Sequence, residues 1–315
     1  MLHITNGESV VHSFREGAIP GSYLSWNDVL HDGAVPATPT LSELSDIRAQ
    51  ALSQLGAGSY DYIRSGFAAR DQALADFHRH DEVILWFEHD LCDQLQLLQL
   101  LDWFSAHDLS RAQLSLIQIN AFPGVEPFHG LGQLKGSQLA ELLPTRKPVT
   151  VAELLLARKV WQAFRASDPS NLASLIAEEI AELPFLRKAL LRLLEEYPSV
   201  RDGLARTQRQ ILHVVATGAQ KKRDIYAASR QFEDCPWGDF SIDWRIDTLA
   251  STPNPALEKT GPDEYQITEF GRQLLAGKAD WMSSSGGVDI WLGGAHLDGT
   301  QAGWRWNEDQ QALSR

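Results

Sequence analysis

The chain has 315 residues, of which 43% are hydrophobic, and it carries a formal net charge of -13 at pH 7. This length favours two or three domains, and the apolar content is ample for packed cores. The acidic charge argues against general affinity for nucleic-acid backbone or anionic lipid, because both need a basic surface. Only Cys92 and Cys235 are present and they have no CxxC spacing, so neither a disulfide framework nor a thiolate zinc site is indicated. We expect a cytoplasmic protein without membrane contact, since neither a signal-peptide pattern nor a membrane-length apolar stretch is found.

The first 26 residues predict a strand, a helix and a second strand. The apolar run at 2–5 precedes Ser9, which we expect to cap a helix at 10–16. Gly17 would end that helix, and the apolar run at 22–26 is the second predicted strand.

Thr40 and Glu43 have the spacing of a capping box and open a stretch that predicts helices. A third strand is predicted at 82–87, after which Asp90 would cap a strongly apolar helix. A fourth strand is predicted at 114–119. Because strand–helix–strand crossovers are right-handed, these strands are expected to be parallel.

Each of the four predicted strands runs into a cluster of acids, histidines or amides. In an open α/β sheet, ligands bind beyond the carboxyl ends of the strands, so the clusters should meet along one edge. The catalytic candidates at this edge are Asp28, His31, Asp32, Glu88 and His89. The ligand-binding candidates are Asn6, Gly7, Ser9, Asp90, Asn120, His129 and His296.

Some of these residues have equally good structural explanations. Asp90 and Asp93 fit the cap and first turn of a helix, and Asp32 begins an ordinary turn pair with a glycine. Glu88 and His89 lie where no local rule requires them. A carboxylate within about 4–6 Å would raise the pKa of a nearby histidine, which would suit general acid catalysis or anion binding.

The sequence leaves the metal and the cofactor unknown. A metal site would need several of six residues to converge, namely Asp28, His31, Asp32, Glu88, His89 and His129. Their side chains are suitable ligands, but no HxxxH or HExxH spacing supports such a site. A single glycine at the first strand-to-helix turn is weak support for phosphate binding. The GxGxxG, GxxxxGK[ST] and GxSxG patterns are absent, which argues against a dinucleotide, P-loop or serine-hydrolase site.

The predicted fold class is α/β, with a parallel Rossmann-like sheet of about four strands. The expected parts are an α/β ligand-binding domain, a helical linker domain, a winged-helix-like α+β domain and a Gly- and Trp-rich C-terminal segment, at residues 1–132, 133–204, 205–282 and 283–315. The C-terminal segment is too apolar to be a free tail. We expect it to pack back onto another part, with His296 near the sheet edge or its rim.

In a winged helix, the third helix reads the DNA major groove. Here the corresponding segment carries Asp239, Asp243 and Asp247 against Arg245 alone. Phosphate contacts need Lys and Arg, so a protein-contacting or structural module is favoured and nucleic acid is disfavoured.

Three stretches, at residues 4–9, 26–36 and 86–97, together resemble a bacterial family catalogued as domain of unknown function eighteen thirty-five. The resemblance spans about residues 1–130, and the later helices with the segment Trp291-Leu292-Gly293-Gly294-Ala295-His296-Leu297 look like the C-terminal region that accompanies it. Cys92 and Ala34 stand where Tyr and Pro are expected. The resemblance implies the domain and transfers no catalytic residue, because the family has no established activity.

Two functional hypotheses follow. The first is that the α/β domain binds a small polar ligand, phosphorylated or nucleotide-like, and acts on it as a hydrolase or transferase. The alternative is a non-catalytic regulatory or adaptor protein, whose α/β domain senses a ligand while the winged helix contacts a protein partner. The residues leave open whether the protein is an enzyme.

Overall fold

The computed structural model of the protein describes residues 1–177, 180–235, 237–301 and 303–315. Strands and helices alternate at the start of the chain, in the order β1 (Leu2–Thr5), α1 (Glu8–Glu16), β2 (Ser22–Ser25), β3 (Gly33–Ala34), α2 (Leu41–Gln54), α3 (Tyr60–Ala75), β4 (Glu82–Glu88), α4 (Leu91–Ser105) and β5 (Gln113–Ile119). The fold is therefore mixed α/β, as predicted.

The central sheet is mostly parallel. Its strand order is β2-β1-β4-β5, followed by a short edge strand β6 (Lys147–Pro148) that runs antiparallel to β5. The strand order reverses at β1. The chain first places β2 on one side of β1 and later places β4 on the other side of β1. Ligands bind open α/β sheets at such a switch point.

Local side-chain chemistry explains where most of these helices begin. Thr40 and Glu43 form the predicted capping box, with the Glu43 amide donating to Thr40 Oγ1 at 3.2 Å. Asp90 caps α4 by accepting from the Asp93 amide at 3.0 Å. The predicted Ser9 cap is wrong: α1 begins after Gly7, whose φ of 76° makes the turn two residues earlier without any side-chain cap.

The middle of the chain is helical, as expected for residues 133–204. It contains α5 (Gly136–Leu142), α6 (Val151–Phe164), α7 (Ser170–Ala177) and α8 (Leu186–Leu194). Helices α6 and α8 both pack on α4, and one continuous set of buried apolar residues reaches from Leu2 to Trp306. The α/β part therefore shares its core with the segments that follow it.

A unit of three helices and a hairpin comes next. It contains α9 (Arg206–Ala216), α10 (Lys222–Ser229), α11 (Asp239–Ala250), the antiparallel strands β7 (Leu257–Gly261) and β8 (Glu264–Ile267), and α12 (Glu269–Leu275). We call this the three-helix unit. Its apolar helix faces pack on one another around Ile211, Ile225 and Ile246.

The C-terminal segment packs back onto two earlier parts of the chain, as predicted. It begins within α13 (Trp281–Ser284) and contains β9 (Val288–Gly293), β10 (Ala295–Gly299), β11 (Arg305–Asn307) and β12 (Ala312–Ser314). Strand β9 pairs in parallel with β3, and the Val35 amide donates to Gly293 at 2.8 Å. Gly294 donates to the Phe164 carbonyl at the end of α6 at 3.0 Å.

Among the described residues, no helix combines the length and the apolar character needed to cross a membrane. The division of the chain into four domains stays a prediction.

Candidate functional site

A cavity of about 990 Å³ lies at the carboxyl ends of β1, β2 and β4. This carboxyl-edge cavity has two walls. The crest wall is formed by residues that follow the strands, and the helical wall consists of Lys188 and Arg192 of α8, Arg206 of α9, and Trp237. The volume lies within the range of roughly 300–1,000 Å³ that small-molecule sites have in proteins.

Seven of the predicted site residues line this cavity, namely Asn6, Asp28, His31, Glu88, His89, Asp90 and His129. The other five do not line it, namely Gly7, Ser9, Asp32, Asn120 and His296. Their roles in binding or catalysis stay predictions.

Glu88 ends β4 and is almost fully buried, with 7% of its surface exposed. Its carboxylate accepts a hydrogen bond from the Leu131 amide, and its own amide donates to Asp93 Oδ1 at 2.9 Å. Asn6, which follows β1, donates to Asp93 Oδ2 at 2.6 Å. Burial raises the pKa of Glu88 well above its ordinary value, and the carboxylates of Asp93 and Asp90 raise it further.

Gly130 explains how Glu88 reaches this position. A Cβ on Gly130 would lie 2.3 Å from Glu88 Oε2, and its φ of 145° is one that other residues rarely adopt. The Gly- and Pro-rich loop after β5 can therefore lie directly over the Glu88 carboxylate, because Gly130 has no side chain.

Asp90 links the crest wall to the segment after α10. Its Oδ1 caps α4, and its Oδ2 accepts from Cys235 Sγ at 3.1 Å. The same sulfur lies 3.0 Å from the His129 carbonyl oxygen. Burial raises the pKa of Cys235, and Asp90 raises it further. Three residues here could together hold a metal ion, namely Glu88, Asp90 and Cys235. Each offers one ligand atom, and these atoms lie within 4.8 Å of one another.

Asp28, predicted as catalytic, lies in a buried ion pair. Arg48 of α2 donates to its Oδ1 from Nη2 at 2.8 Å and from Nε at 3.0 Å, and both side chains are fully buried. Arg48 Nη1 also donates to the carbonyls of Asp32 and Ala34 at 2.7 and 3.1 Å. This arrangement favours a structural role for Asp28 in fixing the turn before β3.

Asp32, also predicted as catalytic, lies behind the cavity and bonds to α11. Arg245 Nη1 lies 2.9 Å from its Oδ1, and the Ser241 hydroxyl donates to its Oδ2. His31 lies in the same group, with Nε2 at 3.1 Å from Ser241 Oγ and its ring 4.5 Å from that of Trp237.

The predicted increase in the histidine pKa values is wrong. Burial lowers the pKa of His31, and this effect outweighs the nearby Asp32 carboxylate. Burial likewise lowers the pKa of His89 despite the adjacent Asp90. Both imidazoles are therefore neutral at pH 7, because the free energy lost when an imidazolium is removed from water is larger than its stabilisation by one neighbouring carboxylate.

The helical wall carries cations that are paired with acids. Arg192 binds Glu196 at 2.7 Å and Glu233 at 2.9 Å, and its guanidinium lies 4.7 Å from the centre of the Trp237 ring. Arg206 pairs with Glu195 at 2.6 Å. Lys188 pairs with Asp234 at the exposed rim.

Four of the predicted residues outside the cavity lie in other surroundings. Gly7 precedes α1, Ser9 is exposed in its first turn, and Asn120 is exposed after β5. His296 lies on β10, where it binds Asp289 at 2.8 Å and stacks on the Trp291 ring at 4.3 Å. The phosphate-binding turn expected at Gly7 thus does not face this cavity.

Sequence reasoning missed several residues that line the cavity, chiefly Arg70, Cys92, Lys188, Arg192, Arg206, Cys235 and Trp237. No motif marks them. Their one common signal is a basic, aromatic or thiol side chain near a helix end, and that signal is too frequent to select them.

Comparisons with known proteins were negative: the chain matches no protein-family model and no curated protein.

Proposed function

We propose that the carboxyl-edge cavity binds a small phosphorylated or nucleotide-like molecule. The observation that carries this proposal is the convergence of seven polar residues, predicted from separate strand ends and loops, on one cavity of about 990 Å³. Polar groups at the switch point of a parallel sheet are the usual contacts of a small ligand in this class of fold.

Donors for an anionic group come from α3 and from the helical wall. Arg70 lines the cavity, and its guanidinium pairs with Asp71 at 2.9 Å and lies 3.9 Å from Asp28, while its Nη1 makes no hydrogen bond among the described residues. Among the described residues, the one partner found for Lys188 is Asp234, and both side chains are largely exposed. An exposed pair of this kind contributes at most about 1 kcal/mol, so a phosphate oxygen can replace Asp234 at little cost.

The reaction class we propose is hydrolysis or transfer of a group of the bound ligand. Glu88 and His89 supply a carboxyl and an imidazole, the side chains most used for proton transfer in such reactions. The regulatory alternative differs in that the ligand would be bound without turnover.

The test is a binding screen on the full chain with inorganic phosphate, nucleoside monophosphates and hexose phosphates, followed by calorimetry. We expect one class to bind saturably, and His89→Ala to weaken that binding roughly tenfold or more with little change in melting temperature. His78→Ala is the matched control, because His78 is exposed and lies outside the cavity.

Absence of saturable binding by every class would refute the proposal, as would equal losses in the two variants. Release of phosphate or of a transferred group from the bound compound would then separate an enzyme from a sensor. His31 is unsuitable for this test, since it is 4% exposed and its replacement would also disturb packing.

We also propose that residues 1–130 belong to the family of domain of unknown function eighteen thirty-five. Each of the three stretches that carry the resemblance contributes residues to the crest wall. The first contributes Asn6, the second Asp28 and His31, and the third Glu88, His89 and Asp90. This coincidence of the motifs with one cavity supports the resemblance.

The three-helix unit is proposed to be winged-helix-like and to serve as a wall of the cavity. Arg245 of α11 is buried in ion pairs with Asp32 and Glu196, while Asp243 and Asp247 remain partly exposed. The outward face of α11 is therefore acidic, which supports a structural or protein-contacting role over nucleic-acid binding.

A further inference from the structure

Three acidic side chains, those of Glu88, Asp90 and Asp93, lie together between the end of β4 and the first turn of α4. Glu88, Asp90 and Asp93 take part in no ion pair with Lys or Arg in the part of the chain that the structure describes. Other buried carboxylates nearby are neutralised, Asp28 by Arg48 and Asp32 by Arg245. Burial without a counter-charge favours the protonated acids, and a cation from outside the chain can take the place of those protons.

Its geometry fits a single small ion. The ligand atoms of Glu88, Asp90 and Cys235 lie within 4.8 Å of one another, and Cys235 Sγ is 3.1 Å from Asp90 Oδ2. Zinc binds carboxylate oxygen at about 2.0–2.2 Å and thiolate sulfur at about 2.3 Å, so two ligand atoms on one ion lie up to about 4.5 Å apart. The separation of 3.1 Å between Cys235 Sγ and Asp90 Oδ2 is inside this limit.

His31 provides an independent indication of a ligand at this place. It lines the same cavity and is 4% exposed, and its Nδ1 has no hydrogen-bond partner. Ser241 donates its hydroxyl proton to Asp32, so the contact between His31 Nε2 and Ser241 Oγ requires the proton on Nε2. Nδ1 is then a buried lone pair without a donor among the described residues, in the cavity that Glu88, Asp90 and Cys235 also line.

We propose that Glu88, Asp90 and Cys235 bind a divalent transition-metal ion of the zinc class. The thiolate selects against Mg²⁺ and Ca²⁺, which prefer oxygen ligands. Three protein ligands in a wide cavity leave a coordination position open, as in catalytic zinc sites. Metal binding needs no small-molecule ligand and is tested apart from the proposed function; with the ion bound, Glu88 is a metal ligand and His89 is left as the group for proton transfer.

The experiment uses the reduced full chain, freed of metal with a chelator, and Co²⁺ as a spectroscopic probe. We expect saturable binding of one Co²⁺ with a thiolate-to-metal charge-transfer band in the near ultraviolet. Cys235→Ser should abolish this band. Cys92→Ser is the matched control, because Cys92 lines the same cavity but lies outside the ligand cluster, and it should keep the band.

A second variant separates ligand loss from misfolding. Asp90→Asn keeps a good helix cap, because Asn is as favourable as Asp at that position, yet it removes a charged ligand. It should weaken Zn²⁺ binding by about 10–100-fold or more while the circular dichroism spectrum is unchanged. Absence of the band in the wild-type chain, or its loss in Cys92→Ser with retention in Cys235→Ser, would overturn the proposal. A negative metal titration would leave the phosphate screen unaffected.

Discussion

Glu196 joins three elements behind the helical wall, and its charge can be removed with little change in shape. It is 2% exposed and accepts from Arg192 of α8 at 2.7 Å and from Arg245 of α11 at 3.2 Å. The Thr207 hydroxyl of α9 donates to it at 2.7 Å. Glu196→Gln therefore weakens the contact among α8, α9 and α11 without creating a cavity.

The size of the effect follows from the pKa of this carboxyl. Burial by itself raises the pKa of Glu196, but Arg192, Arg245 and Thr207 outweigh burial and lower it from 4.5 to about 2. Each unit by which the pKa of the folded chain differs from that of the unfolded chain corresponds to about 1.4 kcal/mol. The Glu196 carboxylate therefore contributes on the order of 3 kcal/mol to the free energy of unfolding. Because the folded pKa is the lower one, this contribution is complete above pH 4.5 and is lost as the pH falls towards 2.

Urea denaturation of both proteins, at neutral pH and in steps down to about pH 3, measures this contribution. We expect Glu196→Gln to lose on the order of 3 kcal/mol at neutral pH, with the difference from wild type shrinking below pH 4.5. The matched control is Glu195→Gln, whose pair with Arg206 is partly exposed and should contribute less than about 1 kcal/mol. A difference that stays constant with pH, or one no larger than that of the control, would refute the electrostatic reasoning.

Two further predictions concern parts of the chain that hold the crest in place. Arg48→Met should lower the free energy of unfolding by about 3–5 kcal/mol, because Asp28 would stay buried with only Arg70 nearby, at 3.9 Å. Urea denaturation measures this free energy of unfolding, and a loss below about 1 kcal/mol would show that the Arg48–Asp28 ion pair is dispensable. Removal of residues 286–315 should lower the melting temperature, since β9 pairs with β3 and Trp306 is buried. An unchanged melting temperature by calorimetry would contradict the packing described here.

The sequence was sufficient to predict the elements whose signals are local. The apolar runs gave β1, β2, β4 and β5, and the caps at Thr40 and Asp90 follow from their own side chains. Strands β3 and β6 were not predicted, because each has two residues and gains its hydrogen bonds from a distant partner. Ser9 is a residue type that favours the cap position, but the turn at Gly7 starts α1 two residues earlier in the chain.

The candidate site was predictable only along the strand ends. The general rule for parallel sheets places polar residues such as Asn6 and Glu88 together without any knowledge of packing. The helical wall depends on contacts between distant segments, such as that of Ser241 with Asp32, 209 positions apart. Likewise, the direction of the His31 and His89 pKa shifts depends on burial, which a list of neighbouring residues in the sequence does not reveal.

The neutral imidazoles change where an anion can bind. If His31 and His89 carried charge, the crest wall alone could hold a phosphate, but burial keeps both neutral and Glu88 and Asp90 are acidic. Positive charge then has to come from α3, from the helical wall, or from a metal ion on the cluster at the crest. Arg70 offers its Nη1 from α3 although Asp71 and Asp28 already balance its charge, whereas Lys188 of α8 has an exposed partner that an anion can replace. An anion-binding function therefore belongs to the α/β part together with the helices packed against it, and the cavity between the two walls is the unit on which that function depends.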